Sequence, residues 1–491
     1  MRATELALGV DPTLPEPLFL QVARGLMDAI RAGRLRPGDP LPGSRTLAAS
    51  LGLHRNTVLS AWRELHAEGW LQTHPARGTF VAEDLPLRRH RRLRAAPPAG
   101  VAERAGYDLG PLAPPGPDEA LPRGALALLA GHVDVGLVPR EALSRALRRA
   151  LRDHGAQALS YGDPQGTLAL REALARWVSS RRGLSAGPEH VMITRGSQGG
   201  LDLVARTLLG PGDLVAVEHL GYRPAWEAFE AHGATVVPVA VDHHGLRTDL
   251  LPGLLRRGSL RAVYVTPHHQ YPTTVTLSAP RRMELLAFAR AHRVAVLEDD
   301  YDHEFHYGAR PVLPLASADA HGVVVYVGTL SKLLAPGLRA GFVVAPEPLI
   351  ARLARARRAV DRQGDQVLEL ALAELLEDGE LERHARRARK VYHARRDAFV
   401  EALTGDLGGV LRVEAPAGGL ALWAPVDPSV NVERWAERAR ALGVLVHTGR
   451  RFVFEGRAPD ALRLGFAALP EARLREAVRR LARALSPACG A

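Results

Sequence analysis

The chain of 491 residues has one cysteine, and only two of its 64 basic residues are lysines, Lys332 and Lys390. Cys489 therefore cannot form an internal disulfide, and we expect it to have no role. An arginine stays protonated, whereas a lysine amine whose pKa is lowered can attack an aldehyde. Because almost every other basic position is Arg, a retained lysine is a candidate for chemistry. Lys390 lies among arginines and has no polar motif around it, so Lys332 is the stronger candidate.

Long apolar runs are also absent. No segment reaches the roughly 18 apolar residues that a membrane helix needs, and residues 1–18 carry acids and prolines where a signal peptide has an apolar core. These absences predict a cytoplasmic protein with no membrane partner. The apolar content of 46% is sufficient for packed cores, and the length favours about three domains. The net charge of +11 is compatible with a polyanionic partner but is weak evidence by itself.

Polar residues surround Lys332. An apolar run at residues 323–327, typical of a buried strand, leads into Thr329, Ser331 and Lys332, and Arg339 follows. Two hydroxyls and a permanent cation are groups that bind a phosphate, which an aldehyde-bearing cofactor could carry.

A second apolar run ends in acids about thirty residues upstream. Residues 294–297 lead into Glu298, Asp299, Asp300 and Tyr301. An aspartate can keep a pyridine nitrogen protonated, and a tyrosine hydroxyl can hydrogen-bond the phenolic oxygen of the same ring. Together with the lysine and the phosphate-binding groups, these residues predict pyridoxal 5'-phosphate (PLP).

Four stretches of the chain resemble a known family. Residues 328–332 with Arg339, 298–301, 266–272 and 161–166 are similar to the type I aminotransferase fold as it occurs in MocR/GabR-type transcriptional regulators. Residues 18–82 resemble the GntR-type winged helix that precedes this fold in the same regulators. The resemblance covers nearly the whole chain and implies a homodimer that binds double-stranded promoter DNA.

The N-terminal residues predict a winged helix-turn-helix. Apolar periodicity indicates helices over residues 18–33, 45–51 and 55–68, with Ser44 as the cap of the second, and a hairpin over residues 71–82. The third helix would enter the major groove. His54 stands where such sequences usually have a serine cap, which predicts a weaker cap. A dimerisation module with an exposed basic face is the alternative. The residues that the resemblance places on DNA are Arg45, Arg55, Asn56, Thr57, Arg77, Gly78 and Thr79.

Residues 83–106 separate this module from the remainder. They mix Pro, Gly and a run of arginines without periodicity, which is typical of a flexible linker. Contact between its arginines and the DNA backbone is the alternative interpretation.

The rest of the chain predicts an α/β fold. Short apolar runs alternate with helical patterns, which indicates a mostly parallel sheet covered on both faces over residues 107–345, followed by a small α/β part over residues 346–491. Ligands bind at the carboxyl ends of such strands, and the candidate residues follow these runs. The expected fold is the PLP-dependent transferase type I fold with an N-terminal winged helix.

The resemblance also implies a role for each site residue. Lys332 would form the internal aldimine with PLP, Asp299 would bind the ring nitrogen and Tyr301 the phenolic oxygen. Asp300 is the alternative for the ring nitrogen. We prefer Asp299, because Asp299 and Tyr301 are two residues apart and so share a face of the strand. The remaining cofactor and substrate residues implied are Gly196, Ser197, Gln198, Thr329, Ser331 and Arg339 at the phosphate, Tyr222 at the ring, Tyr161 from the partner subunit, and Arg463 at a ligand carboxylate. We expect no metal, because His303 and His306 lack further well-placed ligands.

Three functions are compatible with these residues. The leading one is a PLP-dependent regulator that senses an effector with an amino group and a carboxylate. The others are a working aminotransferase with an accessory winged helix, and a regulator whose effector is PLP itself. The loop at residues 266–272 lacks the Asn that many aminotransferases place there, and Thr274 replaces a usual Gly. The missing Asn favours a regulator, whereas Thr274 bears only on the shape of the loop.

Overall fold

The structure is a computed structural model that describes residues 8–14, 16–75, 77–85, 106–108, 122, 124–129, 131–308 and 312–485. Most of the predicted linker, residues 86–105, and Cys489 lie outside these ranges. The chain divides into two compact units, residues 1–118 and 119–491.

The smaller unit is a three-helix module with a hairpin, as predicted. Its elements are α1 Leu18–Arg31, α2 Ser44–Leu51, α3 Arg55–Ala67, β1 Leu71–His74 and β2 Gly78–Val81. The two strands pair in antiparallel register with Leu71 opposite Val81. Apolar side chains from all three helices and from the hairpin share one core, in which Val22, Leu47, Val58 and Val81 are fully buried. This core fixes the helix-turn-helix independently of the rest of the chain.

One helix cap differs from the prediction and one agrees with it. Ser44 is the first residue of α2 and not its cap, which is Gly43. The Ser44 hydroxyl accepts a hydrogen bond from Arg55 Nε at 3.2 Å instead. His54 does cap α3, because its ring Nδ1 accepts from the backbone N–H of Asn56 at 3.3 Å. An imidazole nitrogen therefore takes the place of the serine oxygen.

The larger unit begins with β3 Leu126–Ala127, α4 Arg140–Ala158, α5 Leu168–Arg182, β4 Val191–Thr194, α6 Gly196–Leu208, β5 Asp213–Glu218, α7 Arg223–Ala231, β6 Thr235–Val239, β7 Val241–Asp242 and β8 Gly245–Leu246. It continues with α8 Leu251–Leu254, β9 Ser259–Val265, α9 Ala279–His292, β10 Ala295–Asp300, β11 Val324–Thr329, β12 Gly341–Val344, α10 Glu347–Val360, α11 Gln366–Glu377 and α12 Glu380–Leu407. Its last elements are β13 Ala421–Pro425, α13 Val432–Ala441, β14 Val444–Leu445, β15 His447–Thr448, β16 Ala461–Gly465 and α14 Glu471–Leu485.

A seven-stranded sheet organises this unit in the order β4-β12-β11-β10-β9-β5-β6. β12 is antiparallel to β11 and β4, and the other neighbours are parallel, so the predicted mostly parallel sheet is confirmed. Nearly every residue of the central strands β9, β10 and β11 is buried, because helices cover both faces. The parallel strands place their carboxyl ends at one edge, where the predicted site residues follow them.

A smaller antiparallel sheet of order β13-β16-β15 lies within the same unit. Its central strand β16 pairs Arg463 with Trp423 on one side and with His447 on the other. β14 pairs with β3 in parallel, so the start and the end of the unit are joined. Among the residues described, no helix combines the length and the apolar character needed to cross a membrane.

Candidate functional site

Lys332 lies just beyond β11 and points into the unit. Its side chain is only partly exposed, and its Nζ donates a hydrogen bond of 2.6 Å to the carbonyl oxygen of Gly131. Burial lowers the pKa of Lys332; the carboxylates of Asp302 and Asp299 oppose this effect, and the guanidinium of Arg339 adds to it. A buried amine with a lowered pKa is more often present in its neutral, nucleophilic form.

Asp299 is the acid of β10 that faces this lysine. Its side chain is 4% exposed, and its Oδ2 accepts a hydrogen bond of 2.9 Å from the hydroxyl of Tyr264. Its Oδ1 has no hydrogen-bond partner among the described residues. Burial raises the pKa of Asp299 to about 7, although the Tyr264 hydrogen bond and Lys332 act in the opposite direction. The free oxygen is thus an acceptor withdrawn from water that lacks a donor.

Asp300 points to the opposite face of the same strand. It accepts a hydrogen bond of 2.7 Å from the Tyr326 hydroxyl and lies 3.0 Å from His303 Nδ1. Tyr326 in turn is hydrogen-bonded by Arg182, which is completely buried. His303 and the other positive groups lower the pKa of Asp300 despite its burial. Asp299 and Asp300 therefore occupy separate environments, as strand alternation requires.

Tyr301 and the histidine of the preceding loop close one side of the Lys332 site, by which we mean Lys332, Asp299, Tyr301, Asp302 and Arg463. The Tyr301 hydroxyl donates to the carbonyl oxygen of His269 at 2.9 Å. The ring of His269 contacts Asp302 through Nδ1 and Oδ1 at 2.7 Å, and both side chains are buried. Burial raises the pKa of Tyr301, so its hydroxyl stays protonated.

The glycine-rich turn opens α6 as predicted. Gly196 is the first residue of that helix and has a positive φ of 68°. A Cβ at Gly196 would lie 3.1 Å from an Arg339 nitrogen, and one at Gly341 would lie 2.5 Å from the Gly196 carbonyl carbon. Two glycines thus let the turn approach Arg339 closely. Backbone N–H groups at such a helix start bind phosphate well.

The other predicted phosphate residues lie in the turns around it. The Thr329 hydroxyl donates to the Ala340 carbonyl at 3.3 Å and accepts from the Ser331 N–H at 3.1 Å. Ser331 Oγ is buried without a partner among the described residues. Gln198 donates to the Pro224 carbonyl at 2.7 Å, whereas Ser197 is partly exposed at the helix start. Ser331 is therefore the hydroxyl that remains available to a ligand.

Arg463 is a buried arginine with unused donors. It is 3% exposed, and its Nη2 donates to the Tyr301 hydroxyl at 3.3 Å. Its Nε and Nη1 have no partner in the described part of the chain. The guanidinium carbon lies 4.1 Å from the centre of the Tyr271 ring, which holds the group flat. Such an arginine can bind a carboxylate with two parallel hydrogen bonds.

Two predicted aromatic residues occupy different surroundings. Tyr222 precedes α7 and packs edge-on against Tyr271, with 5.6 Å between the ring centres. Tyr161 is 78% exposed, and only Arg362 stacks on its ring, at 4.1 Å. An exposed tyrosine cannot reach the Lys332 site of its own chain by packing, so its predicted role depends on a partner subunit.

The predicted DNA residues lie at the surface of the smaller unit, with one exception. Arg45, Arg55, Asn56, Arg77 and Gly78 are exposed, and Thr57 is partly exposed. Thr79 is only 8% exposed, because β2 turns its side chain inward. Its hydroxyl lies 3.2 Å from that of Thr73. The alternation of the strand thus removes Thr79 from the exposed face.

Several residues of the site were not predicted. Gly131, Tyr264, His269 and Asp302 contact the predicted residues through the folded chain, and only the position of Asp302 next to Tyr301 offered a signal. Thr274 has a positive φ of 65°, which explains why a glycine is usual there.

Family comparisons match both units. Residues 18–81 match the family described as bacterial regulatory proteins of the gntR family, and residues 130–481 match aminotransferase class I and II. The second match alone spans more than half of the chain.

Curated relatives combine the same two parts. The chain is 35% identical over 491 residues to the HTH-type transcriptional regulator TauR of Rhodobacter capsulatus, which covers 98% of both chains. It is 30% identical over 476 residues to the probable rhizopine catabolism regulatory protein MocR of Rhizobium meliloti, covering 96% of this chain and 95% of the relative. It is 31% identical to the pyridoxine biosynthesis regulator PdxR of Corynebacterium glutamicum over 82% of each chain.

Solved structures resemble the larger unit. The kynurenine aminotransferase of Pyrococcus horikoshii, in complex with PMP, has a TM-score of 0.69 at 30% identity and covers 75% of this chain and 92% of its own. The α-aminoadipate aminotransferase LysN of Thermus thermophilus, complexed with N-(5'-phosphopyridoxyl)-L-leucine, has a TM-score of 0.68 at 32% identity, with coverage of 74% and 92%. The type I transferase fold predicted from the sequence is therefore confirmed.

The raised pKa of Asp299 predicts a pH-dependent stability difference. An acid whose folded pKa exceeds its unfolded value stabilises the fold at low pH, and that contribution is lost as the pH rises from about 4 to about 7. Asp299→Asn removes this loss and keeps an acceptor for Tyr264. We expect the unfolding free energy of the variant, relative to the native chain, to rise by on the order of 1 kcal/mol or more between pH 5 and pH 8. Urea unfolding of the cofactor-free protein at both pH values measures this.

Asp300→Asn is the matched control. It removes the charge that Tyr326 and His303 contact, so it should destabilise the fold at both pH values, unlike Asp299→Asn. The loss should be greater at pH 5, because Asp300 raises the pKa of His303 against the effect of burial and the protonated ring pairs with it there. An Asp299→Asn difference that stays constant between the two pH values would contradict the assignment.

Proposed function

Because this chain belongs to the MocR-type transcriptional regulators, in which a gntR-family helix-turn-helix precedes an aminotransferase class I and II domain, we propose that a small amine bound at its Lys332 site controls its binding to promoter DNA. The aminotransferase domain implies PLP as the cofactor. The observation that carries the proposal is the buried Oδ1 of Asp299, which lacks a donor among the described residues and faces a lysine of lowered pKa.

The described residues fit PLP, which supplies a reactive aldehyde and an electron-withdrawing pyridine ring when bound. Lys332 would hold the aldehyde carbon through its neutral amine. Asp299 Oδ1 would accept the hydrogen bond of the pyridinium N–H, and its charge would keep that nitrogen protonated. Tyr301 would donate to the phenolic oxygen in place of the His269 carbonyl, and Tyr222 would pack against the ring.

The phosphate would lie at the start of α6. The backbone N–H groups of Gly196, Ser197 and Gln198 lie at the start of a helix, which is a favourable place for a phosphate. Arg339 would neutralise the charge of the phosphate. Ser331 supports the same position, because its buried Oγ has no partner among the residues described. Thr329 would orient Ser331 through the hydrogen bond to its N–H.

The effector would carry an amino group and a carboxylate. Its amine would compete with Lys332 for the aldehyde. Arg463 would bind its carboxylate through Nε and Nη1, the donors that have no partner within the described ranges. The effector would bind one arrangement of the protein more tightly than another. This difference in affinity would shift the protein between the two arrangements and so change how the winged helix binds DNA.

The winged helix would bind a two-fold operator as a homodimer. Arg55 and Asn56, at the start of α3, would read base edges in the major groove, and Arg45, Thr57, Arg77 and Gly78 would contact the backbone or the adjoining groove. Tyr161, largely exposed, would reach the phosphate of the partner subunit. Thr79 would support the wing from inside through its hydroxyl contact with Thr73. A regulator of chromosomal DNA acts in the cytoplasm.

An aminotransferase activity is the second candidate. The chain is 33% identical over 365 residues to the 2-aminoadipate transaminase of Thermus thermophilus, covering 74% of this chain and 90% of the relative. Lys332 and Asp299 would serve either function, so turnover of an amino acid with a 2-oxo acid decides between them. DNA affinity measured with PLP alone tests whether PLP itself is the effector, as the relation to PdxR suggests.

Arg55→Ala should weaken sequence-specific DNA binding. Loss of a good base contact costs about 1–3 kcal/mol, which is roughly 5- to 150-fold in Kd. The measurement is the Kd at fixed salt of the full-length protein for an operator selected from random duplexes, with and without PLP. Arg24→Ala is the charge-matched control, because Arg24 is 62% exposed on α1 and pairs with Glu16. Equal losses in both variants would show that only overall charge matters.

Arg463→Gln should reduce the response to amino acids selectively. Hydrogen bonds to a charged group are worth about 1.5–3 kcal/mol, so the apparent affinity should fall roughly 10- to 100-fold. The measurement is the titration of the PLP-loaded protein by absorbance with an amino acid and with the amine that lacks its carboxylate. We expect only the amino acid to bind more weakly. An equal loss for the amine would contradict the carboxylate role.

A further inference from the structure

A cluster of three buried side chains lies on the other side of β10 from Lys332. It consists of His268, Asp300 and His303, which are 5%, 2% and 4% exposed. One ligand atom from each residue lies within 4.8 Å of those from the other two. From the sequence, His303 and His306 lacked further well-placed metal ligands. In the fold, His303 lies close to His268 and Asp300 instead. The cluster takes no part in the function proposed above.

Two of the three side chains keep an unused polar atom. Asp300 Oδ1 and His268 Nδ1 are buried without a hydrogen-bond partner among the described residues. His303 Nδ1 lies 3.0 Å from Asp300 Oδ2 and forms an ion pair with it when its ring is protonated. Buried polar atoms are nearly always partnered. A metal ion would accept lone pairs from the two unused atoms and from the neutral His303 ring.

The second layer of contacts favours an ion at this point. Tyr326 donates to Asp300 Oδ2, so one carboxylate oxygen is fixed and the other is directed elsewhere. Arg182 holds the Tyr326 hydroxyl and is itself paired with Glu304. Fixed outer partners of this kind orient metal ligands in proteins. The guanidinium is neutralised by Glu304, so it adds little repulsion to a cation.

We propose that His268, Asp300 and His303 form a binding site for a divalent transition-metal ion of the zinc type. Two imidazole nitrogens and one carboxylate oxygen suit zinc, whereas calcium and magnesium prefer oxygen ligands alone. Ligands at zinc distances lie roughly 3.3 Å apart in a tetrahedron. The ligand atoms of the cluster lie within 4.8 Å of one another, so the most widely separated ones would have to move closer. Water takes the fourth position.

The ion would brace the floor of the Lys332 site. His268 belongs to the loop after β9, which also carries His269 and Tyr271, and Asp300 ends β10 directly after Asp299. A bond through the metal would join these two segments across the sheet edge. Metal binding would therefore raise the thermal midpoint of the folded chain, and it is independent of PLP and DNA.

The test uses the full-length chain without a histidine tag, stripped with a chelator and then equilibrated with zinc. Mass spectrometry of the desalted protein gives the stoichiometry, with and without PLP. We expect about one zinc ion per chain, and at least a tenfold lower affinity in His268→Ala and in His303→Ala. The control is the double variant His243→Ala/His244→Ala, which removes two exposed and adjacent histidines and should bind zinc like the native chain.

Two results would overturn the site. One is a native chain that retains no zinc, in which case the cluster is an ion pair between His303 and Asp300 only. The other is zinc retention that the surface double variant abolishes and the cluster variants do not. If the cluster variants fail to fold, X-ray absorption at the zinc edge of the native protein decides: two imidazoles and oxygen support the site, and a sulfur ligand, which Cys489 could supply, contradicts it.

Discussion

The removal of Lys332 and Asp299 from water is the constraint on which the site depends. Burial lowers the pKa of Lys332 and raises that of Asp299, so each charge is costly unless it has a partner. Asp299 keeps one oxygen without a donor in the described chain, and Lys332 reaches only a backbone carbonyl. PLP would satisfy both groups as proposed above, since its aldehyde would react with the amine and its protonated ring nitrogen would donate to the carboxylate.

The pleat of β10 gives neighbouring acids opposite environments. Asp299 turns to the Lys332 site, while Asp300 turns to Tyr326 and the two histidines behind the strand. A shift of one residue would exchange them. The register with β9 and β11 therefore determines which carboxylate faces the Lys332 site, and the buried apolar residues of all three strands fix that register.

Local patterns predicted what lies along one stretch of chain. The helices and hairpin of the smaller unit, the parallel strands and the start of α6 at Gly196 follow from periodicity and from glycine placement. The preference for Asp299 over Asp300 followed from strand alternation, and the contacts of Asp300 support it. The winged helix and the transferase fold were confirmed by the family matches to both units.

Contacts across the fold could not be predicted in this way. Gly131 meets Lys332 across about two hundred residues, and His268 meets Asp300 only because β9 and β10 are neighbours. The choice between competing hydrogen-bond partners could not be predicted either. The Ser44 hydroxyl accepts from Arg55 instead of capping α2, and His54 caps α3 with a ring nitrogen. Thr79, named for DNA contact, is only 8% exposed because the alternation of β2 turns its side chain inward.

The central claim is that Lys332 is the amine that binds PLP, and its most direct test compares the only two lysines of the chain. The purified protein is incubated with PLP, reduced with borohydride and digested, and the peptide that carries the cofactor mass is identified. We expect attachment at Lys332 in the native chain and in Lys390→Ala, and none in Lys332→Ala. Attachment that persists in Lys332→Ala, or that disappears in Lys390→Ala, would contradict it.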